Sequence, residues 1–171
     1  MPRPPYPPPT EAEIAVVSEQ LGRPARGVVG IAARCVCGNP VVVATAPRLP
    51  DGTPFPTFFY LTHPAATAAL STVEATGQMV ELAELLQDAA VAERYRAAHD
   101  AYLADRATTG QVPEVAGVSA GGMPDRVKCL HALAAQSLAA GPGLNPIGDL
   151  ALERAQWNPE RCRCAHPAAA V

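Results

Sequence analysis

Cysteine and histidine are the side chains of this sequence best suited to bind a metal or to attack an electrophile. The chain has five cysteines and four histidines among 171 residues, of which only 17% are charged. Zinc and iron–sulfur centres select thiolate and imidazole, usually as four groups that converge from separate chain segments. A metal site is therefore the first hypothesis, and a reactive thiol is the second.

The spacing of these residues divides them into groups. The predicted metal ligands are Cys35, His63, Cys129 and His131. Their CxC and CxH spacings are weaker zinc signals than two CxxC pairs. A second group, Cys162, Cys164 and His166, lies near the C-terminus, where exposed residues without a metal are the simpler expectation. That group could also fold back to complete the site.

Packing is the competing explanation for two of the predicted ligands. The pattern from Pro124 to Gly141 predicts a helix, and successive helical residues turn by about 100°. Cys129 and His131 would then point about 200° apart and could not easily share an ion. In that case Cys129 is a small buried residue and His131 a hydrogen-bonded core histidine. A third option is a thiol at Cys129 whose pKa is lowered by Lys128 and by the nearby helix start.

A glycine-rich loop supplies a candidate anion site. Backbone N–H groups at such a loop, followed by cationic side chains, can hold a phosphate or carboxylate. The predicted anion-binding residues are Arg34, Gly121, Gly122, Arg126 and Lys128. Asp125 opposes an anion there, and a flexible loop that caps a helix is the simpler expectation. The G-x-S-x-G string at 117–121 lacks the preceding buried strand that a nucleophile elbow needs.

Composition excludes several classes of protein. The formal net charge is −3, with a single lysine beside twelve arginines, so the basic surface of a sequence-independent nucleic-acid binder is missing. No stretch of about 18 apolar residues exists to span a membrane. The N-terminus has no apolar segment of the kind found in signal peptides, so we expect a cytoplasmic protein with reduced thiols.

The elements that must position these residues form a small α+β domain. Valine-rich segments and the run at 57–61 predict an antiparallel sheet of about three strands within residues 27–61. Helices are predicted near 11–21, 64–76, 78–87, 89–106, 124–141 and 147–157. Residues 1–10 are predicted to be a disordered proline-rich arm, 11–158 a single domain, and 159–171 a flexible tail that contains cysteine and histidine.

Two long stretches carry a family pattern: RGVVGIAARCVCGNPVVVATAPRLPDGTPFPTFFYLTHP and GGMPDRVKCLHALAAQSLAAGPGLNPIGD. With VEATG and AHDAYLADR, they resemble the domain of unknown function 501 family, which is found chiefly in actinobacteria. The resemblance covers about residues 11–158. Cys35, Cys129 and His131 match the family pattern, whereas cysteine is frequent at the position of His63 and histidine at that of Gln136. Family genes tend to lie near those of a septum-formation protein and an exopolyphosphatase-like enzyme, which implies a link to envelope growth or division.

These observations lead to one favoured hypothesis and two alternatives. The two stretches are predicted to meet at one surface that holds Arg34, Cys35, Asp51, His63, Arg126, Lys128, Cys129 and His131. The favoured function is a small binding or accessory protein with a bound zinc ion. The first alternative is an enzyme that acts on an anionic or phosphorylated small substrate through Cys129 or a metal-bound water. The second is an interaction module of envelope growth or division, with a protein partner.

Overall fold

The computed structural model describes residues 3–167. The first element of secondary structure is helix α1 (Glu11–Leu21). The Thr10 hydroxyl accepts a hydrogen bond from the Glu13 N–H, and the Glu13 carboxylate accepts one from the Thr10 N–H. This capping box satisfies N–H groups that the first turn of a helix leaves without partners. Upstream of α1, Arg3 pairs with Asp105 and Tyr6 is buried in the core.

A three-stranded antiparallel sheet follows, in the order β1 (Val28–Arg34), β2 (Pro40–Thr45) and β3 (Phe59–Leu61). All six residues of β2 are buried, because this valine-rich strand lies between the other two and is covered on both faces. The predicted α+β class and the predicted sheet of about three strands within 27–61 are confirmed.

Five further helices follow the sheet. Their bounds are α2 (Pro64–Ala75), α3 (Gln78–Glu84), α4 (Ala89–Ala107), α5 (Leu130–Ala140) and α6 (Pro146–Ala155). Short 3₁₀ turns lie at Leu85–Gln87 and Pro113–Val115. Helix α5 packs against β3 and α6, and eight of its eleven residues are buried, so it is the central helix of the core. None of the helices within residues 3–167 combines the length and apolar character that crossing a bilayer requires.

The helix predicted over 124–141 is wrong in its first part, because α5 begins only at Leu130. The preceding segment is a loop closed by hydrogen bonds from the Lys128 N–H to the Gly121 carbonyl, at 2.7 Å, and from the Arg126 N–H to the Gly122 carbonyl, at 3.0 Å. Gly121 and Gly122 have φ values of 68° and 94°, a conformation that glycine adopts most easily. Cys129 is therefore an extended N-cap residue rather than a helical one.

Gly148 marks the close crossing of α5 and α6. A Cβ atom at this position would lie 2.3 Å from the Leu133 carbonyl oxygen and 2.5 Å from the Ser137 Oγ. Neither the backbone of α5 nor its short serine side chain can move away cheaply, so the helices would have to separate.

We expect Gly148→Ala to destabilise the protein by about 1–3 kcal/mol, the usual cost of overpacking. Helix propensity alone would stabilise the variant by up to about 1 kcal/mol, so the sign of the change isolates the clash. Urea unfolding measures the free energy of unfolding of the variant. Glu153→Ala, at an exposed position of the same helix, is the control, and its stability should lie within about 0.5 kcal/mol of wild type. A Gly148→Ala variant as stable as wild type would contradict the close crossing.

Candidate metal centres

The connection between β1 and β2 places the first pair of cysteines. The Cys35 N–H donates to the Asn39 carbonyl at 2.9 Å, and the Gly38 N–H donates to the Cys35 carbonyl at 2.7 Å. Gly38 has a φ of 92°, which lets the chain turn within so few residues. The tight turn therefore holds Cys35 and Cys37 together at one end of the sheet.

The segment after α6 returns to this same turn. The Val36 N–H donates to the Pro159 carbonyl at 2.8 Å, and the Asn39 Nδ2 donates to the His166 carbonyl at 2.8 Å. These two hydrogen bonds lie on either side of Cys162 and Cys164 in the sequence. They position the second pair of cysteines against the first.

The result is a cluster of four sulfur atoms, the four-cysteine cluster, formed by Cys35, Cys37, Cys162 and Cys164. All four Sγ atoms lie within 4.8 Å of one another. The Sγ atoms of Cys37 and Cys164 are 3.5 Å apart. Four sulfur ligands around a tetrahedral zinc ion, at bonds near 2.3 Å, lie about 3.8 Å from each other. The arrangement thus has the ligand type, number and spacing of a closed zinc site.

His63 lies at the edge of the four-cysteine cluster. It is the N-cap residue of α2, its side chain is 1% exposed, and its Nδ1 accepts a hydrogen bond from the Ala66 N–H. Its Nε2 lies 3.2 Å from the Cys164 Sγ, and its ring packs 5.2 Å from that of Trp157. Burial lowers the pKa of His63 and favours its neutral form. Because Nδ1 accepts a hydrogen bond, Nε2 carries the proton of the neutral ring and can donate it to the Cys164 Sγ.

Burial also controls the charge of the sulfur atoms. It raises the pKa of the Cys35 thiol and raises that of Cys164 to about 12. Without a cation, these two thiols stay protonated, because burial disfavours the charged thiolate. A divalent metal ion reverses this balance, since a coordinating thiol is deprotonated.

A second group of metal-binding side chains consists of Glu74, Cys129 and His131, here called the Glu–Cys–His cluster. One donor atom from each lies within 4.8 Å of the other two. The His131 Nδ1 is 3.3 Å from the Glu74 Oε1 and 3.9 Å from the Cys129 Sγ. Glu74 lies in the last turn of α2, whereas Cys129 and His131 are the N-cap and the second residue of α5. The start of α5 therefore brings the Cys129 thiol and the His131 imidazole close to the Glu74 carboxylate.

Neighbouring groups shift both pKa values in this cluster. Burial acts to raise the pKa of Cys129, but contacts with His131 and with the Ala132 N–H outweigh it and lower the pKa overall. The Cys129 contact, followed by the charge of Glu74, raises the pKa of His131 to about 9 against the cost of burial. In the absence of metal, the thiol and the imidazole thus favour an ion pair.

The structure divides the four predicted metal ligands between the two clusters. Cys35 belongs to the four-cysteine cluster and His63 lies at its edge, whereas Cys129 and His131 meet at the Glu–Cys–His cluster. The expected helical separation of Cys129 and His131 is wrong, because Cys129 precedes the helix. Metal binding by each of these residues stays a prediction.

The predicted ligand set left out four members of these clusters: Cys37, Cys162, Cys164 and Glu74. For Cys162 and Cys164, folding back to complete the site was the alternative left open by the sequence. A signal existed for the cysteines, because the CxC spacing at 35–37 recurs at 162–164. Glu74 had a weaker signal, since it lies in the family-like VEATG stretch but its residue type alone does not single it out as a ligand. The packing of α2 against α5 brings the Glu74 carboxylate close to Cys129 and His131.

The residues predicted to bind an anion lie at separate places in the structure. Arg34 donates to the Glu13 carboxylate and to the Gly38 carbonyl. The side chains of Arg126 and Lys128 line a surface groove beside the end of α3, together with Asp125. Asp51, also placed on the predicted shared surface, accepts a hydrogen bond from the Thr53 N–H and so stabilises its own turn. Anion binding stays a prediction.

Comparison with known proteins gives one match. Residues 31–153 match the family model described as "Protein of unknown function (DUF501)". The matched range includes Cys35, Cys37, His63 and all of the Glu–Cys–His cluster, and it ends before Cys162 and Cys164. No curated protein and no solved structure matches the chain.

Proposed function

The chain belongs to the DUF501 family, and from its own side chains we propose that it is a small zinc-binding protein whose four-cysteine cluster holds one structural zinc ion. The observation that carries this proposal is the convergence of four sulfur atoms from two distant segments. Thiolate ligands in a tetrahedral set favour zinc over harder cations such as magnesium or calcium.

The zinc ion would join the C-terminal segment to the sheet. Cys37 and Cys164 are 127 positions apart in the sequence, and the metal would connect them in the folded state. The hydrogen bonds to the Pro159 and His166 carbonyls form a weak attachment, since each contributes only about 1 kcal/mol. Zinc therefore supplies the affinity that keeps this segment on the domain.

The attached segment forms one wall of a surface groove, and this groove is the place we assign to a binding or accessory role. Its volume is about 460 Å³. It is lined by Glu19 and Gln20 of α1, by His63, and by Arg163 and His166 of the returning segment. Loss of the metal would remove that wall, so ligand or partner binding at the groove would depend on zinc.

A reducing compartment suits this proposal. Zinc-bound cysteines must stay reduced, and the cytoplasm maintains thiols in that state. We therefore assign the protein to the cytoplasm. The charge of −3 disfavours nucleic acid as its partner.

Metal analysis of the untagged protein tests the proposal. The double variant Cys162→Ser/Cys164→Ser should contain about one zinc equivalent less than wild type, because one four-sulfur site holds one ion. The matched control Arg161→Ser/Arg163→Ser alters the same segment but keeps both thiols, and should retain the wild-type amount. A cysteine double variant with as much zinc as wild type would overturn the proposal.

A further inference from the structure

We infer that Glu74, Cys129 and His131 form a second metal site, which is open and differs in kind from the four-cysteine cluster. Three donor atoms of three different types converge there: a carboxylate oxygen, a sulfur and an imidazole nitrogen. The inference does not depend on the proposed function, because the two clusters share no residue.

The hydrogen bonds of His131 determine which ring nitrogen is available. Its Nε2 lies 3.1 Å from the Thr67 carbonyl oxygen, which can only accept, so this nitrogen carries a proton and donates it. The Ser71 hydroxyl, also 3.1 Å from Nε2, can then accept as well. In the neutral ring, the lone pair is on Nδ1, the atom that faces Glu74 and Cys129.

This arrangement differs from that of a catalytic triad. In a triad the orienting carboxylate and the nucleophile contact opposite nitrogens of the histidine ring. Here Glu74 and Cys129 both face Nδ1, at 3.3 and 3.9 Å. Around a tetrahedral zinc ion, a nitrogen lies about 3.3 Å from an oxygen ligand and about 3.6 Å from a sulfur ligand. The separations fit a common cation at the centre of the three groups, which would replace the proton that Nδ1 holds in the metal-free ion pair.

Groups outside the cluster hold two of the ligands as a metal site requires. Metal-bound histidines usually donate the other ring N–H to a carbonyl or carboxylate, as His131 does to Thr67. Ligating carboxylates are likewise held by hydrogen bonds, and the Glu74 Oε1 accepts one from the Leu130 N–H at 2.7 Å. Both ligands are thus fixed without any contribution from the metal.

The number of ligands and their exposure define the class of the site. Three protein ligands leave a fourth zinc position for water, as in catalytic zinc sites, whereas four cysteines close a structural one. The side chains of His131 and Glu74 are 23% and 28% exposed, so solvent reaches them. The site would take Zn²⁺ with a water molecule that a small anion can displace.

Cobalt titration of the metal-free protein tests the inference, because Co²⁺ replaces zinc and its visible spectrum reports ligand type and number. Wild type should bind about two equivalents, one at each cluster. The double variant Cys162→Ser/Cys164→Ser should keep one cobalt equivalent, and its spectrum should change on addition of azide. Cys129→Ser and His131→Ala should each keep one cobalt equivalent, and azide should not change its spectrum.

Two further variants make the outcome decisive if Cys129→Ser folds poorly. Glu74→Gln keeps an oxygen for the Leu130 N–H but loses the charge, and it should weaken cobalt binding at this site at least about 10-fold. Ser71→Ala removes a neighbour of His131 that is not a ligand, and it should leave the stoichiometry unchanged. If wild type binds only one cobalt equivalent and Cys129→Ser binds the same amount, the inference is overturned. An azide-insensitive spectrum in the double variant would also overturn it, whereas loss of the four-cysteine equivalent alone would leave it intact.

Discussion

Removal of zinc by a strong chelator should lower the Tm of the wild-type protein by on the order of 10 °C. A ligand present at about 1,000 times its Kd stabilises the folded state by about 4 kcal/mol. In a chain of this size, each kcal/mol moves the Tm by about 2–4 °C. The four-cysteine cluster should supply most of this effect, because it joins Cys37 to Cys164 across 127 positions.

The single tryptophan gives this prediction a local signal. The Trp157 ring lies 5.2 Å from that of His63, which in turn contacts Cys164, so its fluorescence should change when the segment detaches. Scanning fluorimetry with and without chelator measures both effects. In chelator, the Tm of Arg161→Ser/Arg163→Ser should fall as much as that of wild type. The Tm of Cys162→Ser/Cys164→Ser should fall by less than half as much. An identical wild-type Tm in chelator and in zinc would argue against a structural metal.

Replacement of Arg106 should produce the second large effect. Its side chain is 6% exposed, and its guanidinium donates to the carbonyls of Pro56 and Val118 through Nη1 and of Val115 through Nη2. These carbonyls belong to the chain before β3 and to the loop before α5. We expect Arg106→Met to cost about 3 kcal/mol, because a buried acceptor without a partner costs about 1–3 kcal/mol and regained solvation offsets only part of this.

A matched arginine on the same helix serves as the control. Arg94 is exposed and donates to a single carbonyl, that of Gly143, so Arg94→Met should change stability by no more than about 0.5 kcal/mol. Urea unfolding at equilibrium compares the two variants. Equal stability losses in both would show that the three carbonyls find other partners and that Arg106 does not hold the loop.

Local sequence signals predicted most of the fold. The capping box at Thr10 and Glu13, the valine-rich strands and the proline at the first position of α2 each act over a few residues, so the elements they define were predictable. The start of α5 was not, because the loop before it is closed by contacts with Gly121 and Gly122 rather than by a capping pattern. Helix propensity over 124–129 is overridden by those contacts.

The candidate sites were predictable only in part, for a related reason. Residue type selected Cys35, His63, Cys129 and His131 as metal ligands, but type alone does not show which of them meet. The pairing of Cys35 with Cys162 depends on where the chain returns after α6, and that of Cys129 with Glu74 depends on how α2 packs against α5. Both are long-range contacts that no local spacing specifies.

The most direct test of the structural zinc is an anomalous difference map, collected at the zinc absorption edge from a crystal of the untagged wild-type protein. We expect a peak bonded to the Sγ atoms of Cys35, Cys37, Cys162 and Cys164 at about 2.3 Å. A map in which these four sulfur atoms are ordered but surround no anomalous peak, or are joined in disulfides, would contradict this expectation.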